Sequence, residues 1–180
     1  YSHSLTSVTI PDSVTSIGES AFSSSLKLTS VTVGDGVNSI GFGAFQYCTA
    51  LSSITFGNRV SSIDGRAFED CTALADINVS GTNPNLSSQD GVLFNKHKTS
   101  IILVPRVFAG AFSIPDGVTS IGDGAFNSCI KMTSVTFPDS VTSIGSYAFA
   151  FCQRLSSLTN GNGFTDNGGG HVARWLRMPS

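Results

Sequence analysis

A period of 23 residues runs through this chain, and it constrains the fold more than any other feature. Leu5 to Lys27 reads LTSVTIPDSVTSIGESAFSSSLK, and the pattern returns at Leu28, Leu51, Ala109 and Met132, each copy 23 residues long. Partial copies open at Leu74 and at Leu155. A fixed spacing in the range of ~20 to ~50 residues marks a stack of coils. One coil alone leaves apolar side chains above and below itself, so burial requires the next coil.

Within a copy, Val31-Thr32-Val33 alternates apolar and polar, which is strand periodicity. Pro11-Asp12, Gly34-Asp35, Pro115-Asp116 and Pro138-Asp139 then supply turn chemistry. A second short alternating piece follows, such as Val14 to Ile17. Gly18, Gly41, Gly122 and Gly145 are expected to make a sharp bend, with Asp64 at this place in the third copy. The Ala-Phe pair after it suggests a helical or 3₁₀ turn with the ring pointing inward. Strand partners lie about 4.8 Å apart, so like residues should stack over like. Phe22, Phe45, Phe68, Phe126 and Phe149 are expected to form one column, interrupted at the irregular copy. Cys48, Cys71, Cys129 and Cys152 share one repeat position and are expected as reduced core thiols. Bridges from 48 to 71 or from 129 to 152 are within reach, but stacked Cβ vectors run parallel and bridge poorly. The expected class is an α/β or mainly β solenoid of short strands and short helical or 3₁₀ turns over residues 1–158. A Gly-rich tail over 159–180 holds no repeat position and reads as a cap, an out-of-frame scar or a basic peptide around Trp175.

The run I-P-D-x-V-T-S-I-G-x-x-A-F-x-x-C, at Ile114 to Cys129 and nearly so at Phe137 to Cys152, resembles the BspA-like leucine-rich repeats of bacterial and protozoan surface proteins. That resemblance covers about residues 5 to 158. It implies a leucine-rich repeat stack, a cell-surface or extracellular setting, and adhesion or protein binding, with a host or matrix protein among the possible ligands.

Charged residues make up 12% of the chain, about half of the usual quarter, and Ser and Thr replace them on the surface. A net charge of −2 and a pI near 5.8 argue against a nucleic-acid partner, which needs a basic face. No apolar run approaches the ~18 residues of a membrane span. The chain opens at Tyr1 directly ahead of a repeat and reads as a piece of something longer, so the absence of a leader decides nothing about location.

The fourth unit, 74–108, is 35 residues long against 23 elsewhere. Two apolar runs, Val92 to Phe94 and Ile101 to Val104, flank Asn95 to Thr99 and predict a β-hairpin. At its tip Lys96, His97 and Lys98 make the densest basic spot, either a solvated turn or an anion contact. Asn78-Val79-Ser80 and Asn85-Leu86-Ser87 match the glycosylation triplet, though Val79 falls in a strand expected to be buried.

Chemistry is sparse. Histidine occurs only at 3, 97 and 171, and a Ser hydrolase would have to use His97 or His171. The Glu69-Asp70 pair reads as an exposed, solvated turn. Asp12, Asp35, Asp116 and Asp139 share a repeat position with Asn58. One carboxylate per coil falls short of the six to eight oxygens of a Ca²⁺ site, and the turn role accounts for it. No cofactor and no metal are expected. The outward strand positions say more. Thr9, Thr32, Thr55, Asn78, Ser113, Thr136 and Thr159 align, as do Ser7, Ser30, Ser53, Asp76, Ala111, Ser134 and Ser157. They predict a flat ribbon of short hydroxyls, suited to multivalent contact with a protein or glycan. A spacer role is the alternative, with ice binding a more remote one, and uncapped coil ends would favour end-to-end self-association.

Overall fold

The computed structural model describes residues 4–159, and the tail from 160, with His171 and Trp175, lies outside them. Each of coils 1 to 3 contributes a four-residue strand and a two-residue strand. Coils 1 to 3 supply β1 (Ser7–Ile10), β2 (Ser16–Ile17), β3 (Ser30–Val33), β4 (Ser39–Ile40), β5 (Ser53–Phe56) and β6 (Ser62–Ile63). Coil 4 carries β7 (Asp76–Val79), β8 (Leu86–Gln89), β9 (Val92–Asn95) and β10 (Ser100–Leu103). Coils 5 to 7 give β11 (Ala109–Ser113), β12 (Ser120–Ile121), β13 (Lys131–Thr136), β14 (Ser143–Ile144) and β15 (Ser157–Thr159). Pairing between coils is parallel and in register, Val8 beside Val31 and Val31 beside Ile54. The solenoid and its 23-residue stacking are therefore as the sequence implies.

The expected ring column forms. Phe22, Phe45 and Phe68 stack face to face with centroids 5.3 Å apart at each step, and Phe126 stacks on Phe149 at 4.8 Å. Phe45, Phe68 and Phe126 are buried, and half-buried Phe22 closes the column at its outer end. All four cysteines are free and buried. The Sγ of Cys48 donates to the Phe22 carbonyl and that of Cys71 to the Phe45 carbonyl, each at 3.1 Å. Cys152 repeats the bond to the Phe126 carbonyl. At Cys48, Cys71 and Cys152 a thiol is thus the small donor that ties a coil to the phenylalanine one coil back. Desolvation pushes the thiols up, that of Cys152 to about 12.

The bend departs from expectation. No helix or 3₁₀ segment forms among the described residues. From Gly18 to Ser25, backbone N–H groups alternate between partners. Ser23 and Ser25 bond three residues back within the coil, while Ser20, Phe22 and Ser24 bond to Phe42, Ala44 and Gln46 of the next coil. A helix would keep all of these bonds internal and leave the coils unjoined. The left-handed residues making this zigzag are Ser20, Ser24, Tyr47 and their counterparts, not the bend glycines. Gly145 is glycine for another reason: a Cβ there would stand 2.4 Å from Asp123 Oδ1 in the coil before.

Coil 4 breaks both ladders. The long strands form β1-β3-β5-β7 and then, separately, β11-β13-β15; the short strands form β2-β4-β6 and then β14-β12-β10-β9-β8. The predicted hairpin is present as antiparallel β9 and β10, and β8 adds a further antiparallel strand. Apolar side chains divide accordingly into one core reaching from Ile10 to Leu103 and another running from Val92 onward to Cys152. Asn83 holds the insertion in place. It is fully buried, its Nδ2 donates to the Gly57 and Val60 carbonyls, and its Oδ1 accepts the N–H groups of Asn85 and Leu86.

Coil 4 has no Ala-Phe turn, so the turns of coils 3 and 5 meet directly. A Cβ on Gly124 would lie 2.0 Å from the Gly65 carbonyl oxygen. Asp70 accepts a 2.9 Å bond from Ser128 Oγ across this seam. A hydroxyl has one proton, so Asn127, whose Oδ1 is drawn beside the same Oγ, is satisfied when its Nδ2 donates to Ser128. The Glu69-Asp70 pair is therefore not an exposed turn. Glu69 is buried and accepts from Gln46 Nε2, and Asp70 is half-buried in the seam.

Inside the seam, Arg106 is wholly buried. Its guanidinium donates to the Ala125 and Gly124 carbonyls and lies 3.8 Å from the Cys129 sulfur, and its Nε meets no acceptor.

Candidate functional site

The hydroxyl ribbon exists, in two lengths. Thr9, Thr32 and Thr55 are exposed and in register, followed by Asn78, with Ser7, Ser30 and Ser53 beside them. Ser134 and Thr136 lie in the second sheet with Ser157 and Thr159. Because β7 and β11 do not pair, the seven-membered column read from the sequence is split after Asn78. The reason is the hairpin of coil 4, which the 23-residue register passes over.

Lys96, His97 and Lys98 are exposed at the hairpin tip as expected, yet both lysine side chains are tied back. Lys96 Nζ donates to the Asn83 carbonyl and Lys98 Nζ to Gln89 Oε1, each at 2.6 Å. Their ammonium groups serve the insertion before they serve a partner. No Ser or Cys side chain hydrogen-bonds His97 among the described residues. Asn78 and Asn85 are both exposed, and Val79 is half-buried where burial was expected.

The aspartate column makes an intercoil ladder. Asp12 Oδ1 accepts the Asp35 N–H and Asp35 Oδ1 accepts the Asn58 N–H, both at 2.8 Å. Asn58 Oδ1 continues it to the hydroxyls of Ser80 and Thr82. A side chain that both shapes its own turn and accepts from the next coil explains why Asp or Asn recurs here. Among the described residues no His, Cys, Asp or Glu cluster is arranged to hold a metal.

Sequence reasoning missed the aromatic side. Leu26, Phe42, Tyr47, Tyr147 and Phe151 are all large, exposed and placed on the turns, away from the ribbon. Arg66 sets its guanidinium over the Tyr147 ring at 4.0 Å and faces Phe42 at 5.9 Å. The arginine of coil 3 thus reaches past Gly124 of coil 5 to a ring of coil 6. The signal lay in departures from the repeat: Phe42 stands where other copies carry Glu19, Gly65, Asp123 or Ser146, and Tyr147 where they carry Ser20, Gly43, Arg66 or Gly124.

No helix of the described residues is long and apolar enough to cross a membrane. A leucine-rich cell surface protein of Faecalibacterium prausnitzii is 27% identical in sequence, with a TM-score of 0.56 over 92% of this chain and 63% of its own. A leucine-rich repeat protein of Eubacterium ventriosum is 25% identical, with a TM-score of 0.52 over 88% and 61%. The chain thus spans less than two thirds of either relative. The pneumococcal vaccine antigen PcpA shares the fold at a TM-score of 0.64 and 20% identity, over 88% of this chain and 51% of that one. No curated protein matched the sequence. The model of the BspA type leucine rich repeat region matches in six copies, over residues 1–107 and 109–170. The chain therefore belongs to the BspA-type leucine-rich repeat family.

Proposed function

We propose that this chain is a non-enzymatic binding module of a cell-surface or secreted protein, acting in adhesion or protein–protein contact. The observation that carries the reading is the exposed threonine ladder Thr9, Thr32 and Thr55, backbone-paired in register. Each step repeats the same small donor and acceptor. A partner with its own repeat, such as a matrix protein or a glycan, would gain affinity through many weak contacts. The cell-surface relative supports the setting. Charge placed on the ladder tests it: Thr32→Glu with Thr55→Glu should abolish binding of the purified chain to cultured cells and to extracellular matrix coats. Unchanged binding would sink the adhesion reading through this face.

A spacer role is the second reading. It is favoured by the fasteners across the seam, Asp70 to Ser128 and Arg66 to Tyr147, which hold the two half-stacks as one rod. Retained separation of flanking domains in the charged variant would support it.

A further inference from the structure

The break between β6 and β10 leaves a groove, and that groove is a candidate ligand site apart from the threonine ladder. Ser61, Ser62, Asp64, Leu86, Ile102 and Asp123 line a hollow of about 440 Å³. Asp64, Gly65 and Asp123 also line a second recess of about 210 Å³, whose far walls are Phe42, Arg66 and Tyr147. The two hollows therefore lie side by side at the seam, with Asp64, Gly65 and Asp123 common to both. Together they form an elongated trough with hydroxyls at one end, carboxylates in the middle and aromatic rings at the other.

The donor and acceptor state of this trough selects its ligand. Asp64 spends Oδ1 on the Arg66 N–H and Asp123 spends Oδ1 on the Ser146 N–H. The second oxygen of each carboxylate takes no hydrogen bond among the described residues. The Arg66 guanidinium lies on an aromatic face and donates to no acceptor among the described residues. Two carboxylates beside one guanidinium disfavour an anion, and the guanidinium already holds the Tyr147 face that a cation would seek. An extended peptide is a poor fit, because the open edge of β6 is only two residues long. What remains is a neutral ligand with many hydroxyls and a flat apolar face. Its hydroxyls would donate to the carboxylates and accept from Arg66, and its C–H face would lie on Phe42, which is 40% exposed.

We propose that the seam trough binds a neutral oligosaccharide, with one ring on Phe42 and the next between Asp64 and Asp123. It takes its setting from the binding-module reading but does not use the ladder, which lies on a different sheet. Saturation-transfer NMR on the purified chain with chitotriose, cellotriose and mannotriose at millimolar concentration tests it. Transfer to at least one probe is expected, weakened about tenfold or more in Phe42→Ala and in Asp123→Asn. Both variants alter exposed side chains, and their amide spectra report whether the coil stack persists. Absence of transfer from all three probes overturns the proposal, and so does parent-like affinity in both variants. A Glu-rich peptide that displaces the sugar would replace it with an anion site. Thr32→Glu and Thr55→Glu should leave saccharide binding at the parent level. Loss of saccharide binding there would move the site to the ladder and overturn the proposal. Loss of cell binding alone concerns only the ladder.

Discussion

Coils 1 to 3 and coil 4 solve the same problem by different means. In the first three, each interface repeats: a ring on a ring at 5.3 Å, a thiol on a carbonyl at 3.1 Å, an aspartate on an N–H at 2.8 Å. No interaction is special because each is copied. Coil 4 copies none of them. It substitutes single residues with many partners, Asn83 with four hydrogen bonds and Arg106 with three acceptors, while glycines 65 and 124 of the flanking coils let backbones touch past it. Regular coils spread their contacts over a column, whereas the irregular one concentrates its polar contacts in a few atoms.

That contrast can be broken at the column first. Phe68→Ala should cost about 3–5 kcal/mol in denaturant melts, because it opens a cavity between Phe45 and the Phe56 edge. Phe22→Ala at the column's half-buried end should cost roughly half of that. Equal losses at both would mean that the rings do not act through stacking depth. Asn83→Ala comes next, at about 2–4 kcal/mol, since it removes the partner of two carbonyls and two N–H groups around a fully buried side chain. A loss below about 1 kcal/mol would make the insertion an ornament. The thiols give an effect that depends on pH. An unfolded cysteine ionises near 9.0, but folded Cys152 holds its proton to about 12. Between those values the unfolded state releases a proton that the native state keeps. Stability should therefore fall as pH rises through this window, by at most about 1.4 kcal/mol per pH unit for this group. Cys152→Ala should flatten the slope in melts compared across that range.

Arg106 sharpens the comparison through a near-zero result. The carbonyls it reaches also accept backbone N–H groups, those of Val104 and Asn127, so removing it strands neither of them. Its charge has no carboxylate among the acceptors given to its guanidinium, and its Nε is unpaired. Arg106→Met should therefore lie within about 1 kcal/mol of the parent or be more stable. A loss of several kcal/mol would show that the guanidinium does more than fill space.

The repeat made most of this molecule legible before any coordinates. Phe45 over Phe68 and Thr32 beside Thr55 follow from counting in steps of 23. The nature of the bend did not follow. Ala44-Phe45 suits a helical turn locally, and only the neighbour's carbonyls, waiting at the height of one strand spacing, draw alternate N–H groups outward. Arg106 and Asn83 were illegible for a different reason. They occur once, in the copy with no counterpart, so no column announced that they are interior. Phe42 and Tyr147 were in plain view as exceptions to the pattern, but a reading tuned to agreement between copies passes over exceptions.

The division of the apolar interior into two bodies has a mechanical corollary. A rod pulled from its ends yields where the fewest strand ladders cross the section, and here only one ladder crosses each junction of coil 4. Force applied along the axis would separate coils 1–3 from coils 5–7 as blocks before it unravelled either. The trough at that joint would widen first, so a ligand bridging its walls would also act as a rivet.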